Sequence, residues 1–595
     1  MRKQPPIFAA ATRYPRPLRA RRGGAPVSGA RRQHGAIAVL AVIWLTVAIA
    51  ALGAIDIGNV FSARRALQRT ADLAAMAAVQ VISSSGGCAT ATAAAQQNAA
   101  SNGFTADGDK TIINTTCGRW DTSTSTYFGT TDNPLNAVQV QTTQVVPYFF
   151  LGPSRTLTAT ATALASNIDA FSLGTGIATI NTQQSALLNA ILGGLLKTSV
   201  SLSVGDVQSL ATAHIKLEDL RVALGAANMQ GLLATTVSYQ TLMVAMVKAL
   251  QAGGDTINAA ILQTLAVTIP GGQNITVGDG GTSAPGLLAL GLANPNAATT
   301  ATINAFDALL VAAQIAQRSP DGSVGKAPVI NVAASLAGLA NISLQVINPP
   351  VLAVGEGGTT TANGVTTYRT IARTAAVNLS LSLKPLPTLY LGLATISALS
   401  TPIVVTLAVA PGKATLNPVN CESTKAATQA TIQVTPGIAS VCVGANGSCS
   451  GSINVASVSV LGIPSVAIAL NSLGPLSLSP GTSPVTINGS SGSFDVTATP
   501  ANSNALGSDL ATLTATLLGQ LPTALSVSVL GSSLLGDLLT PILSLLATTL
   551  TPLLQGVFSL LNTLIVPTLA LLGVQVGTAT VHNMSLTCGV SQLVN

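Results

Sequence analysis

The sequence predicts an α+β protein in which one long N-terminal helix precedes mixed helical and β-rich regions. The first observation is a charge-free apolar run, Ala36–Ile55. The second is a helical apolar period that continues beyond this run to about Ile82. The third is period-two alternation of apolar and polar residues, which predicts strands between 110 and 165 and again between 346 and 500. Helix and strand signals thus occupy separate stretches, as is typical of α+β folds.

Composition indicates an exported chain rather than a cytosolic enzyme. Of 595 residues, 48% are hydrophobic, while only 8% are charged and 3% aromatic, which is too apolar for a disordered segment. The formal net charge of +7 comes from the N-terminal tail, because nine of the 26 basic residues and no acidic residue precede Gly35. The rest of the chain contains 17 basic and 19 acidic residues and is therefore close to neutral. No later cluster of Lys or Arg carries interleaved aromatic residues, which argues against a nucleic-acid partner.

The charge-free run Ala36–Ile55 predicts a single membrane-spanning helix. At about 1.5 Å per residue it is roughly 30 Å long, which matches the hydrocarbon core of a bilayer. Arg31 and Arg32 directly precede the run, and Asp56 closes it. By the positive-inside rule the N-terminus is then cytoplasmic and the rest of the chain is outside. A signal peptide cleaved near Ala48-Ile49-Ala50 is the alternative, although the apolar pattern continues past that point without a polar break.

Beyond the membrane the helix becomes amphipathic. Its apolar stripe recurs at steps of three and four residues and consists mostly of alanine. The charged and amide side chains between Arg64 and Asp72 fall off the stripe. Such a smooth face predicts close packing on a sheet or another helix, with the helix ending near Ile82. The stripe comprises Val60, Ala63, Leu67, Ala71, Ala74, Ala78 and Val81.

Short motifs along this helix resemble one protein family. They are Arg32-Gln33-His34-Gly35-Ala36-Ile37-Ala38-Val39, Asp56-Ile57-Gly58, Ala63-Arg64-Arg65-Ala66-Leu67-Gln68 and Thr70-Ala71-Asp72-Leu73-Ala74-Ala75. Residues 31–82 thereby resemble the N-terminal segment of TadE/TadG-like proteins, which belong to the tight-adherence (Flp) pilus assembly system of bacteria. Weaker similarity to the TadG-like branch continues through Asn102-Gly103, Gly118-Arg119-Trp120-Asp121, Asn136-Ala137-Val138-Gln139-Val140 and Thr156–Ala165. The resemblance implies a pilin-like helix on an antiparallel sheet.

One residue and one short motif limit what this resemblance implies. Pilin-like relatives are cut after a glycine that is followed by glutamate at the fifth position, and counting from Gly35 that position is Leu40. The helix is therefore expected to remain as a permanent anchor. Some TadG-like proteins also carry a metal-binding von Willebrand factor A domain, whose Asp-x-Ser-x-Ser pattern fits Asp121–Ser125. A buried hydrophobic strand should precede that motif, whereas Cys117-Gly118-Arg119-Trp120 precedes it here, so we expect no metal site.

The exported part divides into segments by pattern. Strands are expected at Lys110–Thr116, Ala137–Val146 and Arg155–Ala165. A second membrane span at Val557–Val576 is an alternative to a buried amphipathic unit, but prolines interrupt the region and no Lys or Arg flanks it. The predicted organisation is a basic cytoplasmic tail (1–34), a transmembrane anchor (35–56), an amphipathic helix with antiparallel strands (57–168), a mainly helical region (169–345), a β-rich region (346–500), a Leu-rich helical region (501–575) and a C-terminal strand (576–595).

All cysteines follow the anchor, which indicates an oxidising compartment. We expect Cys88 to pair with Cys117, and Cys421 to pair with Cys442 or Cys449. Spacing alone does not choose among the fifteen possible connectivities. Metal binding is the weaker alternative, because no Cys-x-x-Cys pair occurs and histidine is scarce. The disulfide candidates are Cys88, Cys117, Cys421, Cys442, Cys449 and Cys588.

The sequence contains no evident catalytic cluster. His34 lies in the tail at the membrane edge, and His214 and His582 are isolated in the sequence. His214 lies in a predicted helix near Glu218 and Asp219, where a surface ion pair is favoured over a proton-transfer pair. The motifs of serine hydrolases, phosphate-binding loops and dinucleotide-binding folds are absent from the sequence. We therefore expect no catalytic residue, no cofactor and no small-molecule substrate.

Together these observations predict a non-enzymatic, single-pass component of pilus assembly or secretion. The resemblance suggests the bacterial inner membrane, and the charge pattern predicts that the N-terminus is cytoplasmic and the bulk of the chain periplasmic. Its expected partners are the lipid bilayer and other pilus-assembly or secretion proteins. An exported adhesin or surface structural protein is the alternative, because it would share the Thr- and Ser-rich β composition.

Overall fold

The computed structural model combines long helices with several β-sheets, which confirms the α+β class. It describes residues 34–122, 127–130, 133–174, 182–292, 294–318, 340–362, 364–383, 389–391, 394–398, 403–437, 439–444, 450–460, 463–471, 473–478, 481–500, 525–529, 574 and 579–594. The helices are α1 (His34–Gln80), α2 (Gly87–Ser101), α3 (Thr182–Leu196), α4 (Val204–Thr212), α5 (Leu217–Ala223), α6 (Met229–Ala234), α7 (Tyr239–Ala252), α8 (Thr256–Thr264) and α9 (Ala305–Ala316), with a 3-10 helix at Pro295–Thr300.

The strands belong to several sheets, most of them antiparallel. They are β1 (Thr111–Trp120), β2 (Phe128–Gly129), β3 (Ala137–Val146), β4 (Arg155–Leu173), β5 (His214–Lys216), β6 (Thr236–Val237), β7 (Ile275–Thr276), β8 (Leu288–Gly291), β9 (Thr302–Asn304), β10 (Ala340–Asn348), β11 (Leu352–Gly355), β12 (Thr359–Ala362), β13 (Val365–Tyr368), β14 (Ile371–Arg373), β15 (Ala376–Leu383), β16 (Leu389–Leu391), β17 (Ala394–Ala398), β18 (Ile403–Val409), β19 (Lys413–Leu416), β20 (Gln429–Thr435), β21 (Ala439–Gly444), β22 (Ser452–Val460), β23 (Ile463–Asn471), β24 (Leu473–Leu478), β25 (Ser483–Asn488), β26 (Val496–Ala498), β27 (Leu525–Val529) and β28 (Val581–Val594).

The chain divides into two compact units. The first comprises Met1–Ala63 and Val146–Arg155, and the second comprises Arg64–Val145 and Thr156–Asn595. Helix α1 therefore begins in the first unit and ends in the second. The segment Val146–Arg155 is separated in sequence from the rest of the first unit, so side-chain contacts must hold it there.

In the second unit the last turns of α1 lie on the largest sheet. Thr142 on β3 donates from Oγ1 to the backbone carbonyl of Leu67 (3.3 Å), and the side-chain amide of Gln68 donates to the carbonyl of Thr160 on β4 (3.2 Å). Small side chains between the two layers allow the helix backbone to approach the strands closely. The buried residues of this face are Leu67, Ala71, Ala74, Ala75, Ala78 and Val79.

The largest sheet has eight strands. Its main path runs β2-β1-β3-β4-β11-β8, and β28 joins β4 to β26. Strand β4 continues to Leu173, beyond the end predicted at Ala165. Residues of its C-terminal half are buried almost without interruption between β28 and β11. A strand covered on both faces shows no period-two alternation, which explains why the sequence pattern ended too early.

The helical region surrounds α9, whose twelve residues are all buried. Hydrogen bonds from side chains define where the surrounding helices begin. Ser203 accepts from the backbone N–H of Asp206, and Asp206 accepts in turn from the N–H of Ser203, which is a capping box at the start of α4. Asn304 caps α9 by accepting from two backbone N–H groups. Apolar residues of these helices form one core with strands of the neighbouring sheets.

Most strands of the β-rich region form separate antiparallel sheets, whereas β11 and β26 belong to the largest sheet. One has the order β10-β15-β18-β21-β24, a second β14-β19-β20-β25 and a third β16-β17-β22-β23-β27. In β15 the side chains of Val377, Leu379 and Leu381 are buried, and the residues between them are half-buried. This is the period-two pattern that the sequence predicted.

Several predicted features lie outside the described residues or differ from the structure. Helix α2 was not predicted, because its alanine-rich sequence has no larger apolar side chains to mark a period. The Leu-rich region 501–575 was expected to be helical. Within it the structure describes Leu525–Val529, which forms strand β27, and Val574. The alternative span Val557–Val576 lies outside the described residues apart from Val574.

Candidate functional site

The first functional element is the exposed apolar surface of α1. Within the part of the chain that the structure describes, α1 is the one helix long and apolar enough to cross a membrane. The most apolar stretch of 18 residues in α1 has a mean hydropathy of 2.6, and no residue of that stretch is buried. Large side chains such as Ile37, Trp44 and Leu45 are 61–70% exposed. An apolar helix that the protein leaves uncovered requires an apolar environment, which a bilayer provides. Arg31 and Arg32 lie outside the described residues.

Asp56 has a structural role that the sequence did not reveal. The sequence marked it only as the charge that closes the span, yet the side chain is fully buried within the first unit. Its carboxylate accepts hydrogen bonds from three consecutive backbone N–H groups, those of Phe149 (2.8 Å), Phe150 (2.9 Å) and Leu151 (2.7 Å). Hydrogen bonds to a carboxylate are stronger than those between neutral groups. Asp56 therefore holds the segment Val146–Arg155 against the helix.

The disulfides differ in part from the expected pairs. Cys88 at the start of α2 is bonded to Cys117 on β1. Cys421 is bonded to Cys588 on β28, and not to Cys442 or Cys449. The expectation for Cys421 followed proximity in the sequence. Cys588 is 167 residues away, and it reaches Cys421 because β28 returns to pair with β4 in the largest sheet. Cys442 is disulfide-bonded as well, and Cys449 lies outside the described residues.

A buried group of charges surrounds Arg119 on β1. Arg119 donates from Nη2 to Glu356 Oε2 (2.7 Å) and from Nη1 to the carbonyl of Pro134 (3.0 Å). Asp121 lies 3.8 Å from Arg119 and accepts from Arg369 Nη1 at 3.3 Å. Asp121 is thus engaged by arginines, which leaves little negative charge for a cation. Groups of three or more side chains suited to hold a metal ion do not occur among the described residues, and Ser123 and Ser125 lie outside them.

A second charge cluster joins residues that are isolated in the sequence. His582 on β28 lies with Nδ1 3.1 Å from Asp307 Oδ2 and with Nε2 2.9 Å from Asp495 Oδ1. His214 Nε2 lies 3.4 Å from the other oxygen of Asp495. The predictions for His214 were wrong, because it lies on strand β5 and its partner is Asp495. Glu218 pairs with Arg221 instead.

The electrostatics of this cluster favour a charged imidazole. Burial opposes the positive charge, but the hydrogen bonds and charges of Asp307 and Asp495 outweigh it and raise the pKa of His582 to about 10. Burial likewise acts to raise the pKa of Asp495, yet hydrogen bonds from His214 and His582 hold it well below its usual range. At neutral pH the cluster is an ion pair network between β28, α9 and the segment before β26.

The geometry of the cluster does not match that of nucleophilic catalysis. Ser172 on β4 donates from Oγ to Asp307 Oδ2 (2.8 Å), so its hydroxyl faces a carboxylate rather than the imidazole. A serine nucleophile requires a neutral histidine that can accept its proton. A buried imidazolium between two carboxylates stabilises the packing of three elements instead.

Comparison with known families places the N-terminal part of the chain. Residues 35–81 match the TadE/G-like Flp pilus-assembly family, and residues 76–163 match a Tad-like Flp pilus-assembly family. These matches confirm the resemblance and cover α1, α2, β1 to β3 and the first half of β4. Residues 184–314, which extend from the first turn of α3 into the last turn of α9, match a domain of unknown function, DUF8293. Among curated proteins and among solved structures, no match is found.

Proposed function

We propose that this chain, a membrane-anchored pilus-assembly component whose residues 35–163 are TadE/TadG-like, presents its folded body to other assembly or secretion proteins in the periplasm. The observation that carries the proposal is α1. One half of this helix exposes apolar side chains over its whole circumference, and the other half packs its alanine face on the largest sheet. The same helix therefore supplies both the membrane span and part of the folded body.

The charges beside the span support the orientation. Nine basic residues and no acidic residue precede Gly35. On the other side Arg64, Arg65 and Arg69 follow, accompanied by Asp56 and Asp72. Because the more basic flank remains in the cytoplasm, the N-terminus is cytoplasmic and the body is in the periplasm of the inner membrane. The disulfides agree with an oxidising compartment.

The role is that of a permanent anchor without catalytic activity. Leu40 stands where cleaved pilin-like relatives have glutamate, so the span stays attached to the body. The one cluster that joins histidines to carboxylates, among the described residues, is engaged internally. The large periplasmic part then serves to bind other proteins rather than to catalyse a reaction.

Reporter fusions test the topology. Alkaline phosphatase, which is active only outside the cytoplasm, should be active when fused after Ile82 and inactive when fused before Arg31. The reverse pattern would contradict the orientation. Protease added to intact cells should spare the body, because the outer membrane protects it. Digestion under these conditions would instead support an exported adhesin or surface structural protein.

A span exchange tests the anchor itself. When Ala36–Ile55 is replaced by a cleavable signal peptide, the body should be released and pilus assembly should be lost. The control replaces the same residues with an unrelated transmembrane helix of equal length, which should keep the body at the membrane. Pili assembled normally by the released body would show that anchoring is dispensable.

A further inference from the structure

The segment that Asp56 holds is strongly apolar and faces outward. Between Val146 and Arg155 the chain has no charged side chain before the final arginine. Phe149, Phe150 and Leu151 are 65%, 55% and 53% exposed; we term these three residues the apolar loop. Consecutive large apolar residues rarely face water in a soluble domain, so such a run marks an interaction surface.

The apolar loop lies beside the membrane-spanning part of α1. Both Cδ atoms of Leu151 lie 3.8 Å from the position that a Cβ on Gly53 would occupy. Gly53 precedes Asp56 by three residues, which places it about 4.5 Å deeper along the helix. It belongs to the charge-free run Ala36–Ile55. The side chain of Leu151 therefore lies next to the last turn of the span.

The backbone of the loop is suited to an environment of low polarity. Irregular segments enter lipid only where their polar backbone groups are satisfied, since no water is present to bond them. The carboxylate of Asp56 accepts from all three N–H groups of the apolar loop. Pro147 and Pro153, which flank it, have no N–H group. The three N–H groups of the apolar loop are thus bonded, and the two prolines contribute no donor that would oppose insertion.

We propose that the apolar loop inserts into the interfacial layer of the lipid bilayer beside the transmembrane helix, and that Asp56 fixes its depth. The inference rests on the membrane anchoring in the proposed function. Lipid is the occupant that fits, because the loop continues the lipid-facing surface of α1 and aromatic side chains are enriched at membrane–water boundaries. Arg155, which is exposed at the end of the segment, can extend its guanidinium to lipid phosphates.

Tryptophan fluorescence in vesicles tests the insertion. The full chain carrying Phe150→Trp, with Trp44→Phe and Trp120→Phe to remove the native tryptophans, is reconstituted in vesicles of phosphatidylethanolamine and phosphatidylglycerol. A fraction of phosphatidylcholine brominated near the glycerol end of its acyl chains serves as quencher. We expect the reporter to lose about half of its fluorescence, as an interfacial side chain should, and to be protected from acrylamide in water.

A matched control and a loop-release variant make the result decisive. Phe61→Trp in the same background reports from an exposed position of α1 five residues beyond Asp56, and it should be quenched less by the brominated lipid. Asp56→Ala should reduce the quenching of the Phe150→Trp reporter to about the level seen for Phe61→Trp. Asp56→Asn should give an intermediate level of quenching, because one acceptor oxygen remains. A reporter at 150 that acrylamide quenches freely and brominated lipid does not would overturn the proposal, as would an Asp56→Ala variant with unchanged quenching.

Native Trp44 separates this inference from the anchoring. In a chain with only Trp120→Phe, Trp44 should be quenched strongly by lipid brominated further along the acyl chain. If Trp44 is quenched and the loop reporter is not, only the present inference fails. If neither is quenched, the membrane anchoring of the proposed function fails as well.

Discussion

His582 Nε2 lies 2.9 Å from Asp495 Oδ1, although 87 residues separate the two in the sequence. The same imidazole contacts Asp307 on α9 through its other nitrogen. One side chain of β28 therefore connects the helical region with the segment before β26. An imidazolium held between two carboxylates contributes to stability only while its proton is bound, so this contact should make the fold sensitive to alkaline pH.

The first prediction concerns that sensitivity. The folded-state pKa of His582 is raised to about 10 from an ordinary value near 6.5. Its contribution should be fully present below about pH 6.5 and lost as pH rises toward about 10, at up to about 1.4 kcal/mol per pH unit. His582→Gln should therefore destabilise the chain most near pH 6 and least near pH 10. Urea denaturation of the full chain in detergent micelles, followed by circular dichroism, measures the difference.

A matched variant isolates the buried imidazole. His214→Gln removes the other contact of Asp495 but leaves His582 between its two carboxylates. It should retain the decline in stability between pH 6.5 and 10. A pH dependence that disappears in His214→Gln but persists in His582→Gln would contradict the prediction, because it would assign the effect to His214.

The second prediction is that replacing the buried carboxyl group of Asp169 stabilises the fold, whereas replacing His582 destabilises it. Burial on β4 raises the pKa of Asp169 to about 8, from an ordinary value of 3.8. Because the folded state binds the proton more tightly, its contribution is present below about pH 3.8 and is lost as pH rises to about 8. Asp169→Asn should be stabilised relative to the parent, with an advantage that grows between pH 4 and pH 8. The same denaturation series measures it, and a constant difference across this range would show that Asp169 stays ionised.

The sequence predicts features that depend on neighbouring residues, and it does not predict contacts between residues that are distant along the chain. Strand Ala137–Val146 was predicted with the bounds that the structure shows, because one face is buried and the alternation is local. The alanine stripe that includes Ala74 was predicted for the same reason. The pairing of Cys421 with Cys588 and the contact of His582 with Asp307 were not, since they depend on where β28 returns.

The role of Asp56 also exceeded what the sequence could indicate. An acidic residue at the end of an apolar run has an obvious interpretation as the end of the span. Its bonds to the backbone of Phe149 to Leu151 involve N–H groups, which every non-proline residue carries and which leave no trace in the sequence. The signal that was available is the uncharged, proline-flanked composition of 147–153.

The third prediction concerns the disulfides. In the chain-entropy account, stabilisation grows with the length of the closed loop, so a 167-residue separation should contribute roughly 5 kcal/mol and a 29-residue separation roughly 4 kcal/mol. The double variant Cys421→Ser/Cys588→Ser should therefore be destabilised at least as much as Cys88→Ser/Cys117→Ser. Non-reducing peptide mapping checks the pairing, and a peptide that joins Cys421 to Cys442 or Cys449 would contradict it.

The fourth prediction concerns the packing of α1 on the sheet. Ala74 is fully buried between the helix and the strands, so Ala74→Leu should cost about 1–3 kcal/mol of unfolding free energy through overpacking. Ala66→Leu on the exposed side of the same helix should change it by less than about 0.5 kcal/mol. Urea midpoints of the two variants give the comparison. Equal midpoints would show that the alanine face does not pack on the sheet.

The final prediction addresses the buried pair of Arg119 and Glu356, whose side chains are 1% and 5% exposed. Glu356→Leu leaves the guanidinium without its closest carboxylate, because the remaining acid, Asp121, lies 3.8 Å away and is shared with Arg369. Removing one partner of a buried pair should cost about 3–5 kcal/mol. Arg119→Met/Glu356→Leu replaces both charges with apolar groups of similar size and should recover most of that loss. Urea denaturation of the single and double variants measures the coupling, and a double variant as unstable as the single one would mean that the pair stabilises the fold beyond the avoidance of an unpaired charge.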